Sequence, residues 1–214
     1  MSQKEKTILL IELIGIALLF TINKFFFSAV QYSSQVTLVI SLVLITFFLR
    51  RRKSSWKILG LKTPEKWWKA IIYFILCVAT IAVVFNFVIQ PLFPHGANEI
   101  SQGRTISFGE MLFQLIVIGI GTAAIGEEML FRGYLLNTIN QLIGKNVWGT
   151  VAAVLIQAFI FGILHSGMQG MISAGVIGLI LGIFYLLSGR NLIVVMAAHA
   201  VPDILSIIGS YQNQ

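Results

Sequence analysis

The sequence predicts an all-α fold, a polytopic bundle of transmembrane helices with about seven spans and a range of six to eight. Three observations predict it. Of the 214 residues, 57% are hydrophobic and only 11% charged, with a mean hydropathy of +0.89, whereas soluble domains carry about 25% charged residues. Seven apolar runs divide the chain, most of them approaching the roughly 20 residues that a helix needs to cross about 30 Å of hydrocarbon. The runs lack the alternation of a β-barrel, and because backbone groups cannot stay unpaired in lipid, the spans must be helices.

The first run, Thr7–Phe27, follows Lys4 and Lys6 as a signal peptide would. It is longer than a signal h-region and has no small-residue cleavage site, so a retained span is expected. Tyr32–Leu49 comes next, and then a block from Arg50 to Lys69 that holds eight of the fifteen basic residues. Such a block between apolar runs belongs in the cytoplasm, against anionic headgroups. That choice puts the N-terminus inside. Trp68–Ile89 then leads outward to the polar stretch Gln90–Glu110, which contains Pro91 and Pro94. Met111–Asn140, Val147–His165, Met171–Leu187 and Leu192–Ile208 complete the set, with Lys145 and Arg190 in the inside turns and Ser210–Gln214 outside. Trp56, Trp67, Trp68 and Trp148 fall near span boundaries, where amphipathic rings favour the headgroup layer. Residues 1–214 are read as one membrane domain in a bacterial plasma membrane.

The formal net charge of +7 does not indicate nucleic acid, because no basic face interleaved with aromatics accompanies it. The single cysteine, Cys77, lies in an apolar run and reads as packing. There is no internal repeat and no Gly-rich phosphate loop. Glycines of the later runs, such as Gly119, Gly126, Gly162, Gly167, Gly170, Gly178 and Gly182, are expected to let helices approach closely.

Ionisable groups inside a span cost several kcal/mol, so each is a functional candidate. Glu127, Glu128, Arg132, His165, His199 and Asp203 all stand in or at the edge of the fourth, fifth and seventh runs. Earlier runs contain only Glu12 and Lys24, each read as reaching the interface from near a span end. On a helix of 3.6 residues per turn, Glu128 and Arg132 share a face and suit a charge-assisted pair. Glu127 is turned about 100° away and is left for other work, such as that of a general base. His199 and Asp203 are also four apart, with Pro202 between them expected to kink the helix. Counting at about 1.5 Å per residue leaves Glu127, His165 and His199 within roughly 10 Å of one level. The residues alone leave a catalytic site, a proton or ion pathway and structural pairing open, although acids in a pathway are normally spread over depth.

Glu127-Glu128-x-x-x-Arg132, Phe161-x-x-x-His165 and His199-x-x-x-Asp203 resemble, in order and approximate spacing, the three motifs of the CAAX protease and bacteriocin-processing (CPBP, or Abi) family. The resemblance implies a CAAX-protease-like catalytic core over residues 111–208, acting as an intramembrane endopeptidase with a cavity open to the cytoplasm. It implies that Glu127 activates water with help from His165, that His199 and the residue at 203 stabilise the oxyanion, and that Glu128 and Arg132 hold the arrangement. One departure is Asp203, where CAAX enzymes usually carry Asn; an ionised carboxylate accepts hydrogen bonds and cannot donate to an oxyanion.

The cofactor is left open between none and a divalent metal such as zinc held by Glu127, His165 and His199, since three ligands with a fourth position free make a catalytic zinc site. The expected partners are the lipid bilayer, a peptide or membrane-protein substrate, and a membrane signalling partner; nucleic acid is not expected. The competing readings are an immunity or sensor-kinase-binding scaffold without turnover, and a proton-coupled transporter.

Overall fold

The computed structural model describes residues 2–93 and 106–212. Among these there is no β-strand, and seven long helical runs follow one another. They are α1 (Gln3–Phe27), α2 (Ser33–Arg51), α3 (Trp67–Leu92), α4 (Phe108–Ile143), α5 (Val147–Ile163), α6 (Gly167–Leu187) and α7 (Leu192–Gln212). Six are long and apolar enough to cross a bilayer; α5, at 17 residues, is the short one. The chain is an integral membrane protein folded as a helical bundle. The polar stretch expected between the third and fourth spans lies mostly outside the described residues.

The lipid solvent explains the inside-out distribution of side chains. Ile11, Val43, Ile75 and Phe159 are more than half exposed, because hydrocarbon solvates them as well as a core does. Polar groups are instead turned inward: Ser41, Glu128, Arg132 and Gln157 are completely buried. Trp67, Trp68 and Trp148 are exposed, as belt residues should be, while Trp56 is half-buried and donates its Nε1–H to Thr46 Oγ1 at 2.9 Å.

Close helix contact is built from missing side chains. At Gly162 an added Cβ would stand 2.7 Å from the Met171 carbonyl oxygen, and at Gly178 it would stand 3.0 Å from Phe161 Cδ1. Accordingly α5 packs chiefly along α6, and α7 packs along α4 and α3. Gly167 and Gly170 differ from the packing expectation. Gly167 has open space where a side chain would be and a φ of +72°, so it serves the α5–α6 turn through its backbone. Gly170 meets nothing nearer than His165 Cβ at 3.8 Å.

Two sequence readings are corrected. Glu12 does not reach for the interface: it is 8% exposed, accepts from the Tyr134 hydroxyl at 2.7 Å and pairs with Arg52 at 3.1 Å. Arg52, just beyond the end of α2, reaches inward to neutralise it, which is how a carboxylate in a span is tolerated. The fourth span is not a plain α-helix either. It is π-wound over Gln114–Glu127 and again over Met129–Leu136, a winding frequent at functional sites. Pro202 lies inside α7, which continues through it.

The basic loop between α2 and α3 is tied under the bundle. Leu192 N–H donates to the Gly60 carbonyl at 2.9 Å, Tyr185 Oη to the Leu59 carbonyl at 2.8 Å, and Asn191 Nδ2 to the Lys62 carbonyl at 3.0 Å. Gly60 has a φ of +101° and its Cα faces the Arg190 carbonyl so closely that any side chain would collide with it. Asn137 joins this end to the site, donating to the Arg132 and Gly133 carbonyls and accepting from Arg190 Nη1 at 2.6 Å. Cys77 is fully buried in the core between α3, α6 and α7.

Candidate active site

The two adjacent acids of α4 go in different directions. Glu128 is fully buried and bound twice, by Arg132 Nη1 at 2.6 Å and by His199 Nδ1 at 2.8 Å, both on the same oxygen, Oε1. Glu127, half-buried, makes no hydrogen bond to any described side chain and lines a cavity of about 520 Å³. The expected i, i+4 pair therefore forms despite the π winding.

Arg132 is held through both terminal nitrogens, while its Nε is buried without a partner. Besides Glu128 it donates through Nη2 to the Gly178 carbonyl at 3.1 Å, and its guanidinium stands 4.8 Å from the centre of the Phe161 ring. A planar cation donating to oxygen and stacking on an aromatic face is the arrangement to which guanidinium is suited. The Gly178 carbonyl also accepts from Gln157 Nε2 at 2.9 Å.

His165 follows the C-terminus of α5, where the last carbonyls of a helix lack intrahelical donors. Its Nδ1 is 2.8 Å from the Phe161 carbonyl. A carbonyl can only accept, so Nδ1 carries the hydrogen and the neutral ring keeps a lone pair on Nε2. The side chain lines the same cavity as Glu127.

His199, on α7, is 6% exposed. With Nδ1 engaged by Glu128, Nε2 is the free ring atom, and it lies 3.7 Å from Asp203 Oδ2. That oxygen is buried and has no hydrogen-bond partner, as is Glu128 Oε2. The set is joined by contact: Arg132, Glu128, His199 and Asp203 form a chain of neighbours, the Phe161 ring lies beside both histidines, and His165 shares the cavity with Glu127. All six residues singled out from the sequence thus stand in one cluster.

The three motifs stand on α4, α5 and α7, and the comparisons address just this part of the chain. Residues 109–205 match the family model described as type II CAAX prenyl endopeptidase Rce1-like. This segment is therefore similar to the CAAX-protease family to which the three motifs point. Comparison with curated proteins and with solved structures gave no match. The matched segment begins near the start of α4, ends within α7 and contains every residue of the cluster. The match supports a hydrolase of the CAAX-protease class seated in a membrane.

A zinc site built by Glu127, His165 and His199 was one expectation. Among the described residues no group of three or more His, Cys, Asp or Glu side chains stands where one ion would bind. With Nδ1 of His199 on Glu128 and Nδ1 of His165 on the Phe161 carbonyl, each ring has only Nε2 to offer, and that of His199 faces Asp203. The residues as arranged do not fit that metal.

Sequence reasoning quoted Phe161 only as the start of the histidine motif. Its ring proves to be the centre of the cluster, 4.8 Å from the His165 ring, 6.2 Å from His199 and 4.7 Å from Phe131, centre to centre. An aromatic in an apolar run carries no signal of such a role. Gln157, which shares the Gly178 carbonyl with Arg132, was also missed, although a glutamine within a 17-residue apolar run is itself a signal.

The cavity has a polar rim of exposed Ser28, Ser34 and Ser166, in the α1–α2 region and the α5–α6 turn. An apolar groove of about 340 Å³ adjoins it between α1, α4 and α5, sharing Phe20, Lys24, Phe131 and Leu164. Lys24 Nζ donates to the Ile163 carbonyl at 2.9 Å, closing the end of α5. The rim lies at the end of the bundle opposite the Arg50–Lys69 loop. A cytoplasmic N-terminus and a cavity open to the cytoplasm are therefore incompatible expectations.

Proposed function

We propose that the protein is an intramembrane endopeptidase that hydrolyses a peptide bond of a peptide or membrane-associated protein. Residues 111–208 form its catalytic core within a single membrane domain of residues 1–214. The observation that carries the reading is the separation of the two acids: Glu128 is spent on Arg132 and His199, while Glu127 faces the cavity unpaired.

Glu127 and the Nε2 lone pair of His165 are the basic acceptors that line the cavity, and a water between them would be polarised for attack on a carbonyl carbon. As water adds, its proton passes to Glu127 and negative charge collects on the former carbonyl oxygen. His199, carrying a hydrogen on each ring nitrogen between Glu128 and Asp203, stabilises that charge by donating its Nε2–H, the ring being fixed by the Nδ1–H given to Glu128. Asp203 orients that ring from the far side instead of donating to the oxyanion, since an ionised carboxylate has no proton to give. Collapse of the tetrahedral species breaks the C–N bond, and the proton held by Glu127 goes to the leaving amine. Phe161 and the Arg132–Glu128 pair are positioning groups.

The apolar groove beside the cavity suits a substrate with an apolar segment next to the cut bond. Transport is less well supported. Beyond Arg132, toward the basic end, Leu136, Tyr185 and Leu192 are fully buried and close the bundle. The test is purified protein incubated with candidate leader or quorum peptides, comparing wild type with Glu127→Ala and His199→Ala. Cleavage by wild type alone is expected, and equal cleavage by all three overturns the proposal.

A further inference from the structure

The charges of the loops and the position of the cavity mouth have to be taken together. Helices α1 to α7 alternate in direction, so the N-terminus, the α2–α3 loop, the α4–α5 turn and the α6–α7 turn share one end of the bundle. Twelve of the fifteen Lys and Arg residues belong to that end, eight of them between Arg50 and Lys69. The others are Arg132, buried in the site, Lys24, bonded to the Ile163 carbonyl, and Arg104, outside the described residues. These basic loops are short, and short loops are where positive charge decides orientation. Basic residues are drawn to an anionic leaflet, and with twelve of them at this end its preference for the cytoplasm is large.

The mouth of the cavity belongs to the other end. Ser28 and Ser34 flank the α1–α2 connection and Ser166 lies in the α5–α6 turn, all three exposed at its rim. His165 stands in the same turn, and Glu127 lies near the middle of α4 with eight residues of π and α winding between it and the buried network at Leu136. Entry from the basic end is blocked by the Asn137–Tyr185–Leu59 hydrogen bonds, which seal the loop against the bundle.

We infer that the cavity holding Glu127 and His165 opens on the extracytoplasmic face, so that the protein takes its substrate from outside. The substrate class is then a polypeptide segment presented at the outer leaflet: a membrane-anchored chain near its outer boundary. The substrate statement rests on the hydrolytic reading above; the orientation does not.

Single cysteines test it, because native Cys77 is fully buried and the wild-type chain serves as the unlabelled control. Ser166→Cys and Ser28→Cys report the rim, and Ser55→Cys, exposed in the α2–α3 loop, reports the basic end. Intact cells are treated with a membrane-impermeant maleimide, before and after permeabilisation. The expected result is at least ten-fold stronger labelling of either rim cysteine in intact cells than of the control, with Ser55→Cys labelled only after permeabilisation. Labelling of Ser55→Cys in intact cells, or of both rim cysteines only after permeabilisation, overturns the inference. Measuring peptide cleavage by the same cysteine variants, with Glu127 unchanged, separates the two claims: no cleavage with the expected labelling pattern leaves orientation intact, and cleavage with the opposite pattern leaves hydrolysis intact.

Discussion

His199 Nδ1 lies 2.8 Å from Glu128 Oε1, joining α7 to α4 across 71 residues of sequence. The same oxygen receives Arg132. One carboxylate oxygen thus serves a structural cation and a site imidazole at once, which divides the consequences of substitution at the two neighbouring acids.

Glu127→Gln should fold like wild type, since the carboxylate makes no hydrogen bond to a described side chain. It should lose about 10²–10⁴-fold in cleavage rate, the range for a general base. Thermal unfolding in detergent measured beside peptide cleavage checks both halves.

Glu128→Ala leaves a buried guanidinium without its carboxylate. A loss of about 3–5 kcal/mol in stability is expected, and Arg132→Ala should cost a similar amount. The double variant Glu128→Ala/Arg132→Ala should be less damaged than the sum of the single losses, because neither charge is left without the other. A double-mutant cycle on unfolding free energy reads the difference.

His165 is half-buried, and its one hydrogen bond to the Phe161 carbonyl is worth about 1 kcal/mol. His165→Ala should therefore be stable to within about that amount and still lose most of its kcat. A rise in KM alone, with kcat kept, would assign His165 to binding instead.

Gly178→Ala places a methyl 3.0 Å from Phe161 Cδ1 and 3.3 Å from Ala158 Cα. Overpacking of this kind costs about 1–3 kcal/mol, and here it also pushes the ring on which Arg132 and His165 rest. Activity should fall further than stability does. Gly167→Ala, whose φ of +72° is strained for any side chain but meets no neighbour, should lose stability only, by about 1–2 kcal/mol. Comparing the two variants separates ring displacement from backbone strain.

The spans and the six polar residues were legible because lipid makes the sequence explicit: a charge within an apolar run has to be explained. The i, i+4 spacing of Glu128 and Arg132 foretold their pairing even though the helix there is π-wound, as both windings bring such residues within reach. Other features had no local signal. Phe161 looks like any other apolar residue, and its place among Arg132, His165 and His199 is set by α4, α5 and α7 packing together. Glu12 was read from its distance along the first span, whereas its partners Tyr134 and Arg52 come from elsewhere in the chain. The side on which the cavity opens needed the rim and the basic loops to be seen on one object.

The account rests on water being activated by Glu127, and single-turnover cleavage in ¹⁸O-enriched water tests that most directly. The account predicts ¹⁸O in the new carboxylate of the product from the first turnover, and no product from a folded Glu127→Gln variant. Product from Glu127→Gln at the wild-type rate, or first-turnover product without the isotope, would contradict it.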